Sequence, residues 1–128
     1  MTILSYLILS AALFAVMILV QDLIGVKQYG VGPLVGARDK MAEANLLSAR
    51  AKRANQNMME AMVIFVPLAV VAMHANVTGA VLGAAIFFWA RVAYAPLYWF
   101  GVPWLRSAAW IVSVIGLIMM FLKLLPLI

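Results

Sequence analysis

Four polar residues share one face of a predicted helix in the stretch RAKRANQNMME, and their side chains suit a charged ligand. Arg50, Arg53, Asn57 and Glu60 follow one another at steps of three, four and three residues, a spacing that lines one side of an α-helix. Arginine pairs bidentately with carboxylates, and a glutamate can receive an ammonium group. Because the apolar run AMVIFVPLAVVAM follows at once, we expect this face to turn toward other helices or a cavity rather than toward lipid.

A second polar face lies on the third apolar segment, where Arg91, Tyr94 and Tyr98 are spaced by three and four residues. Arg91 is the expected partner of Glu60, because both are predicted to lie at a similar depth from the same side of a membrane. Ionisable residues inside a membrane segment are functional candidates by default.

A third polar group, Arg106 and Ser107, opens the last apolar segment. Each group alone has a simpler explanation: basic residues that set topology, an ion pair between helices, or interfacial tyrosines. Three helices that bring polar faces to one level instead predict a site for a small, flexible, multiply charged ligand. A γ-glutamyl tripeptide such as glutathione fits that description, as do other ligands.

The composition requires that these residues be positioned by membrane helices. The chain has 128 residues, of which 68% are hydrophobic and 10% are charged, far less charge than a soluble domain carries. The apolar runs are continuous, whereas strands of a membrane barrel alternate apolar and polar residues. The sequence therefore predicts an all-α membrane protein, one domain over residues 1–128, built as a four-helix bundle. The predicted spans are about 3–21, 55–75, 80–100 and 105–123.

The connections between the spans differ in length. GVKQYGVGPLVGARD is rich in glycine and is predicted as a loop. A helix is expected to begin near Asp39, enter the membrane near Met58 and continue through Pro67. Short turns then make spans two to four antiparallel neighbours. The N-terminal run lacks a basic start and a convincing cleavage site, so we interpret it as a retained span rather than a signal peptide.

The distribution of cations predicts the orientation. Six basic residues lie between spans one and two: Lys27, Arg38, Lys40, Arg50, Lys52 and Arg53. The positive-inside rule places this large first loop in the cytoplasm and both termini outside. The polar site then lies toward the cytoplasmic face. Topology and anionic lipid headgroups account for the net charge of +5, so nucleic-acid binding is not expected.

Residue types also exclude some chemistry. The chain has no cysteine, and therefore no disulfide, no thiolate metal site and no catalytic thiol of its own. His74 has no second histidine or carboxylate near it in the sequence, so no metal site is expected.

The motif Arg53-Ala-x-x-Asn57-x-x-Glu60, preceded by Arg50, resembles the MAPEG family, membrane-associated proteins in eicosanoid and glutathione metabolism. Microsomal glutathione transferases, leukotriene C synthase and microsomal prostaglandin E synthase belong to that family. The resemblance continues through Arg91-x-x-Tyr94-x-x-x-Tyr98 and Arg106-Ser107. It covers roughly residues 37–110.

The resemblance implies a homotrimer of four-helix protomers, with glutathione bound as co-substrate between neighbouring subunits on the cytoplasmic side. It implies that the glutathione backbone and charged ends are held by Arg53, Asn57, Glu60, Tyr94 and Tyr98, with Arg50 beside them and Arg91 orienting Glu60. Arg106, with Ser107, would stabilise the thiolate that attacks a lipophilic electrophile. The expected activity is a glutathione transferase or peroxidase, and the compact length favours a bacterial inner-membrane member.

The sequence departs from the family pattern at Gln56, where prostaglandin E synthase has a glutathione-binding arginine. The spacing from Tyr98 to Arg106 also differs by about one residue. These departures keep open a non-catalytic MAPEG-like protein that binds a lipid or another ligand. A small multidrug-type transporter is a further alternative, although such proteins carry their acid in span one, and here Glu60 lies in span two.

Overall fold

The computed structural model describes all residues 1–128 and contains helices but no strands. Five α-helices follow one another along the chain: α1 (Ile3–Tyr29), α2 (Val31–Val35), α3 (Leu46–His74), α4 (Val81–Trp99) and α5 (Pro103–Leu124). Short 3₁₀ turns at Thr78–Ala80 and Leu125–Leu127 flank the last two long helices. Helices α1, α3, α4 and α5 are long and apolar enough to cross a membrane. The predicted all-α fold with four membrane-length helices is confirmed.

The connection between the first two long helices differs from the prediction. Helix α1 continues to Tyr29, and the short helix α2 occupies part of the segment that we predicted as a loop. Helix α3 begins at Leu46 rather than near Asp39, because the Asn45 side chain accepts a 2.8 Å hydrogen bond from the Ser48 backbone N–H and so caps the helix there. Upstream, Arg38 has φ of 65°, a left-handed conformation that a continuous helix does not allow.

Helix α4 lies at the centre of the bundle. It packs against α1, α3 and, most extensively, α5, while α1 also packs on α3. The Phe65 ring of α3 stacks on the Phe87 ring of α4 with centroids 4.3 Å apart, and both side chains are fully buried. Aromatic pairs of this kind contribute about 0.5–1.5 kcal/mol beyond the area they bury.

Helices α4 and α5 touch through their backbones at Gly83 and Gly116. A Cβ atom at Gly83 would lie 2.6 Å from the Gly116 carbonyl oxygen, and one at Gly116 would lie 2.7 Å from the Gly83 carbonyl oxygen. Between membrane helices there is little hydrophobic driving force, so close backbone approach at small residues is a main source of association. This contact joins the start of α4 to the second half of α5, and the two helices are therefore antiparallel.

Helix α3 also runs antiparallel to α4. Its C-terminal half meets the N-terminal half of α4 at Phe65 and Phe87, and its N-terminal half meets the other end of α4 at Arg53 and Tyr98. The three polar groups predicted from sequence therefore lie at one end of the bundle. Where each helix enters hydrocarbon, and hence the exact span limits, stays a prediction.

Candidate functional site

The site is built around Arg91, which lies on α4 and is only 2% exposed. Its Nη1 atom donates a 2.6 Å hydrogen bond to the Oδ1 atom of Asn57 on α3. Its Cζ atom lies 5.0 Å from the centroid of the Tyr94 ring and 5.7 Å from that of the Phe87 ring. Its Nε atom is buried without a hydrogen-bond partner. The chain therefore buries a cation that an amide and two aromatic faces satisfy only in part.

Tyr98 joins the basic residues of two other helices. The Nε atom of Arg53 on α3 donates a 3.3 Å hydrogen bond to the Tyr98 hydroxyl oxygen. The Cζ atom of Arg106 on α5 lies 4.7 Å from the centroid of the Tyr98 ring. Tyr94 meets Tyr98 edge to face, with centroids 5.5 Å apart. Tyr98 therefore contacts the guanidinium groups of Arg53 and Arg106, which belong to two different helices.

Two adjacent clefts open beside these residues. The first has a volume of about 230 Å³ and is lined by Asn57, Tyr94, Tyr98, Arg106, Ser107 and Trp110. The second has a volume of about 160 Å³, and its polar lining residues are Asn57, Glu60 and Arg91, with Trp110 and aliphatic side chains completing it. Because Asn57 and Trp110 line both, we treat the two as one site with two compartments. The first compartment holds the phenols and Arg106, and the second holds one acid and one buried cation.

The structure brings most of the predicted site residues together. Arg53, Asn57, Glu60, Arg91, Tyr94, Tyr98, Arg106 and Ser107 all line the clefts or contact a residue that does. Trp110 adds an apolar wall that lies one helical turn after Arg106. No hydrogen bond or ion pair joins Ser107 to another side chain, and the residue is exposed at the rim of the first compartment. The roles of these residues stay predictions.

The expected ion pair between Glu60 and Arg91 is not formed within the chain. Arg91 hydrogen-bonds to Asn57 instead, one helical turn before Glu60. Glu60 is exposed on the surface of α3, although its side chain still lines the same compartment as Arg91. The prediction was wrong about the partner because opposite charges at similar depth do not require contact, and Asn57 lies closer to the level of Arg91.

Arg50 lies apart from both clefts. Its guanidinium packs against Gly101 in the turn between α4 and α5, where a Cβ atom would lie 2.6 Å from the Arg50 Cζ atom. Gly101 has φ of 68°, a conformation that glycine adopts without strain. Arg50 therefore supports the turn that leads into Arg106, and its expected role in ligand binding stays a prediction.

Sequence reasoning missed Asn55, which is buried between α3 and α1. Its Nδ2 atom donates to the Gln21 side-chain oxygen at 2.6 Å and to the Met17 carbonyl oxygen at 3.3 Å. A second asparagine two residues before Asn57, on a different helical face, was the available signal. Asn55 fixes α1 to the part of α3 that carries the site.

The fold and the site together define a multispanning α-helical membrane protein with a cationic, tyrosine-lined site at one end of the bundle. The sequence model of the MAPEG family matches residues 3–126, nearly the whole chain. The chain therefore belongs to the MAPEG family. Neither the curated proteins nor the solved structures give a significant match.

Membership sets the general class of function. The family consists of membrane proteins and includes glutathione transferases and synthases. The family match confirms the resemblance found in the sequence motifs, and it extends that resemblance from the central part of the chain to both outer helices.

Proposed function

We propose that this protein is a glutathione-dependent membrane transferase, or a peroxidase of the same kind, that activates the glutathione thiol against lipophilic electrophiles. The observation that carries the proposal is Arg91, a buried cation beside an open compartment with no carboxylate in salt-bridge contact. Burying an uncompensated charge is costly, so the site is suited to a ligand that brings its own carboxylate.

The charges of the site fit those of glutathione, which carries two carboxylates, one ammonium and one thiol. Arg91 and Arg53 are cations suited to the carboxylates. Glu60 is exposed and lines the compartment that also holds Arg91, without forming an ion pair with it, and it can receive the ammonium. Asn57 lines both compartments, and its remaining hydrogen-bonding groups can serve the peptide backbone of the ligand.

The first compartment is where the sulfur would lie. Arg106 borders it, and a guanidinium favours a thiolate over a thiol and so lowers the pKa of that thiol. Ser107 can donate a second hydrogen bond from the rim. The Tyr98 ring packs against the Arg106 guanidinium and supports its position beside the place where the thiolate would form.

Bound glutathione supplies the nucleophile, and the chain supplies its position and charge stabilisation. Trp110 and the aliphatic residues Ile64, Val114 and Leu117 form an apolar boundary to the clefts. An electrophile dissolved in the bilayer can reach the sulfur from this side. Conjugation, peroxide reduction and isomerisation all begin with the same thiolate.

The open side of the clefts supports assembly into a homotrimer. Glu60 is exposed, and its neighbours on the α3 surface, Met59 and Val63, are 51% and 69% exposed. A second copy packed on this surface would enclose the ligand between subunits. The predicted orientation places the site toward the cytoplasm, and a bacterial inner membrane remains our proposed location.

Titration of glutathione into the purified protein in detergent tests the proposal. We expect ultraviolet absorbance of the thiolate near neutral pH with the wild-type protein, and its loss in Arg106→Ala. Lys123→Ala is the matched control, since it removes one cation from the far end of α5. Calorimetry on the same samples measures binding separately.

The outcomes separate the alternatives. Binding without a thiolate signal, and without turnover of a panel of electrophiles, supports a non-catalytic ligand-binding member of the family. If calorimetry detects no binding of glutathione, the proposal is contradicted. Arg53, Asn57 and Glu60 would then have structural roles only. Proton-dependent efflux that is lost in Glu60→Gln would then support a transporter.

A further inference from the structure

A large cleft lies away from the proposed glutathione site, between the end of α1, helix α2 and the start of α3. Its volume is about 550 Å³, within the range of sites that hold small ligands. Three charged side chains line it: Asp22, Arg38 and Lys52. None of them belongs to the candidate active site. We call this space the interfacial cleft.

The charged residues of the interfacial cleft lie at the depth of lipid headgroups. Helices α1 and α3 are antiparallel, with Ile3 and Met73 lining a common cleft at the opposite end. At 1.5 Å per residue, Asp22 is about 28 Å along α1 from Ile3 and Lys52 is about 33 Å along α3 from His74. Since the hydrocarbon core is about 30 Å thick, we expect both residues to lie at one edge of it when Ile3 and His74 lie at the other.

The walls of the cleft combine this polar level with apolar side chains. Val26, Leu34 and Met41 line it from α1, α2 and the connecting segment. On α2, Val31 and Val35 are 63% and 80% exposed, although they follow the predicted end of the first span. Exposed aliphatic residues beside cations are expected at the interface of a bilayer, where they contact acyl chains.

The connecting segment is held in place, so the cleft has defined walls. The Gln28 side chain donates to the Glu43 carbonyl oxygen at 3.0 Å and accepts from the Asn45 backbone N–H at 3.1 Å. The Tyr29 hydroxyl donates to the Ala42 carbonyl oxygen at 3.0 Å. Arg38 has the left-handed φ of 65°, and its Nε atom donates to the Leu34 carbonyl oxygen at 2.9 Å. This bond occupies only one of its five N–H groups.

We propose that the interfacial cleft binds the headgroup of a membrane glycerophospholipid, with phosphatidylethanolamine as the preferred occupant. Arg38 and Lys52 bind the phosphate, and Asp22 accepts a hydrogen bond from the ammonium. The apolar walls contact the upper part of the acyl chains. The cleft offers two cations to the single negative charge of the phosphate and one anion to the single positive charge of the ammonium. One positive charge of the cleft is left in excess. Phosphatidylcholine has the same phosphate but no N–H donor for Asp22.

Native mass spectrometry of the purified full-length protein tests the proposal. The delipidated protein is incubated with phosphatidylethanolamine or phosphatidylcholine of identical acyl chains. We expect the wild-type protein to retain phosphatidylethanolamine about tenfold more than phosphatidylcholine, the ratio that one charge-assisted hydrogen bond gives. Asp22→Ala should remove this preference, because it leaves no side-chain oxygen to accept a hydrogen bond from the ammonium.

Lys52→Ala and Lys40→Ala form a matched pair, since each removes one cation near the membrane but only Lys52 lines the cleft. We expect Lys52→Ala to lower retention of both lipids about tenfold, and Lys40→Ala to have little effect. Equal effects of the two variants would indicate attraction to the surface charge alone and would overturn the proposal. Equal retention of the two lipids by the wild-type protein would overturn it as well.

This lipid site is independent of the proposed glutathione activity. Lys52→Ala should leave the glutathione titration unchanged, because Lys52 lines neither compartment of the active site. Thermal unfolding of each variant in detergent shows whether it is folded before lipid is added. Asp22, Arg38 and Lys52 are all exposed, so their substitution should not disturb the core.

Discussion

The Nη1 atom of Arg91 donates a 2.6 Å hydrogen bond to the Oδ1 atom of Asn57, and this bond joins the central helix α4 to α3. Asn57 also lines both compartments of the proposed glutathione site. Asn57 therefore joins two helices and is also placed to contact the proposed ligand.

We predict that Asn57→Ala destabilises the protein, because it removes the acceptor of the buried Arg91. Leaving a buried charged donor unsatisfied costs about 1–3 kcal/mol or more. Thermal unfolding in detergent should show a lower midpoint for this variant. The double variant Asn57→Ala/Arg91→Met should recover much of the loss, since it also removes the charge. If the single variant unfolds like wild type, this hydrogen bond does not stabilise the bundle.

Substitution of Gly101 should disturb the turn that leads into Arg106. Gly101→Ala places a methyl group at φ of 68° and against the Arg50 guanidinium. The methyl group incurs a backbone penalty of about 1–2 kcal/mol in the left-handed region, and its contact with Arg50 should add to that cost. The matched control is the same substitution in an Arg50→Ala background, where only the backbone penalty remains. Thermal unfolding should show a smaller cost of Gly101→Ala in that background; an equal cost in both backgrounds would mean that the Arg50 side chain moves aside without loss.

The backbone contact between α4 and α5 should not tolerate a methyl group. Gly83→Ala would bring its Cβ within 3 Å of backbone atoms of α5, and overpacking of this kind typically costs about 1–3 kcal/mol. Gly79→Ala is the control, since its nearest neighbour is the flexible Lys123 side chain at 3.4 Å. We expect a lowered unfolding midpoint for the first variant alone. Similar unfolding midpoints for both variants would show that α4 and α5 can move apart to accommodate the methyl group without a loss of stability.

Two substitutions of Tyr98 should divide its roles, if the proposed glutathione activity is correct. Tyr98→Phe removes the hydroxyl that Arg53 contacts but keeps the ring beneath Arg106. Tyr98→Leu removes both, including a cation–π contact worth about 0.5–2 kcal/mol. We expect Tyr98→Phe to weaken glutathione binding about threefold or less while the thiolate absorbance at saturation is kept. Tyr98→Leu should lower that absorbance; an unchanged signal would show that Arg106 needs no support from the ring.

The all-α fold and the position of the polar groups at one end of the bundle could be predicted from the sequence, because both depend on local patterns. The run of apolar residues marks each long helix, and the spacing of Arg53 and Asn57 places them on one face whatever the partners are. The helix start was misplaced because the residues after Asp39 are good helix formers, whereas the Asn45 cap decides the boundary.

The contacts between helices could not be predicted from charge and spacing. Arg50 lies on the same helical face as Arg53, yet its guanidinium packs against Gly101 in the turn between α4 and α5. Glu60 carries the charge that Arg91 lacks, yet Asn57 lies nearer. The interfacial cleft was also missed, since it depends on how the segment after α1 folds back through Gln28 and Tyr29.

The Gly83–Gly116 contact fixes the point about which α4 and α5 can rotate relative to each other. Arg106 is ten residues from Gly116, or about 15 Å along the helix axis. A change of about 4° in the angle between the helices at this contact would therefore move the Arg106 guanidinium by about 1 Å. In catalytic sites a displacement of that size can lower the rate about a hundredfold. Two glycines far from the proposed site thus determine how precisely Arg106 is positioned at the other end of the bundle.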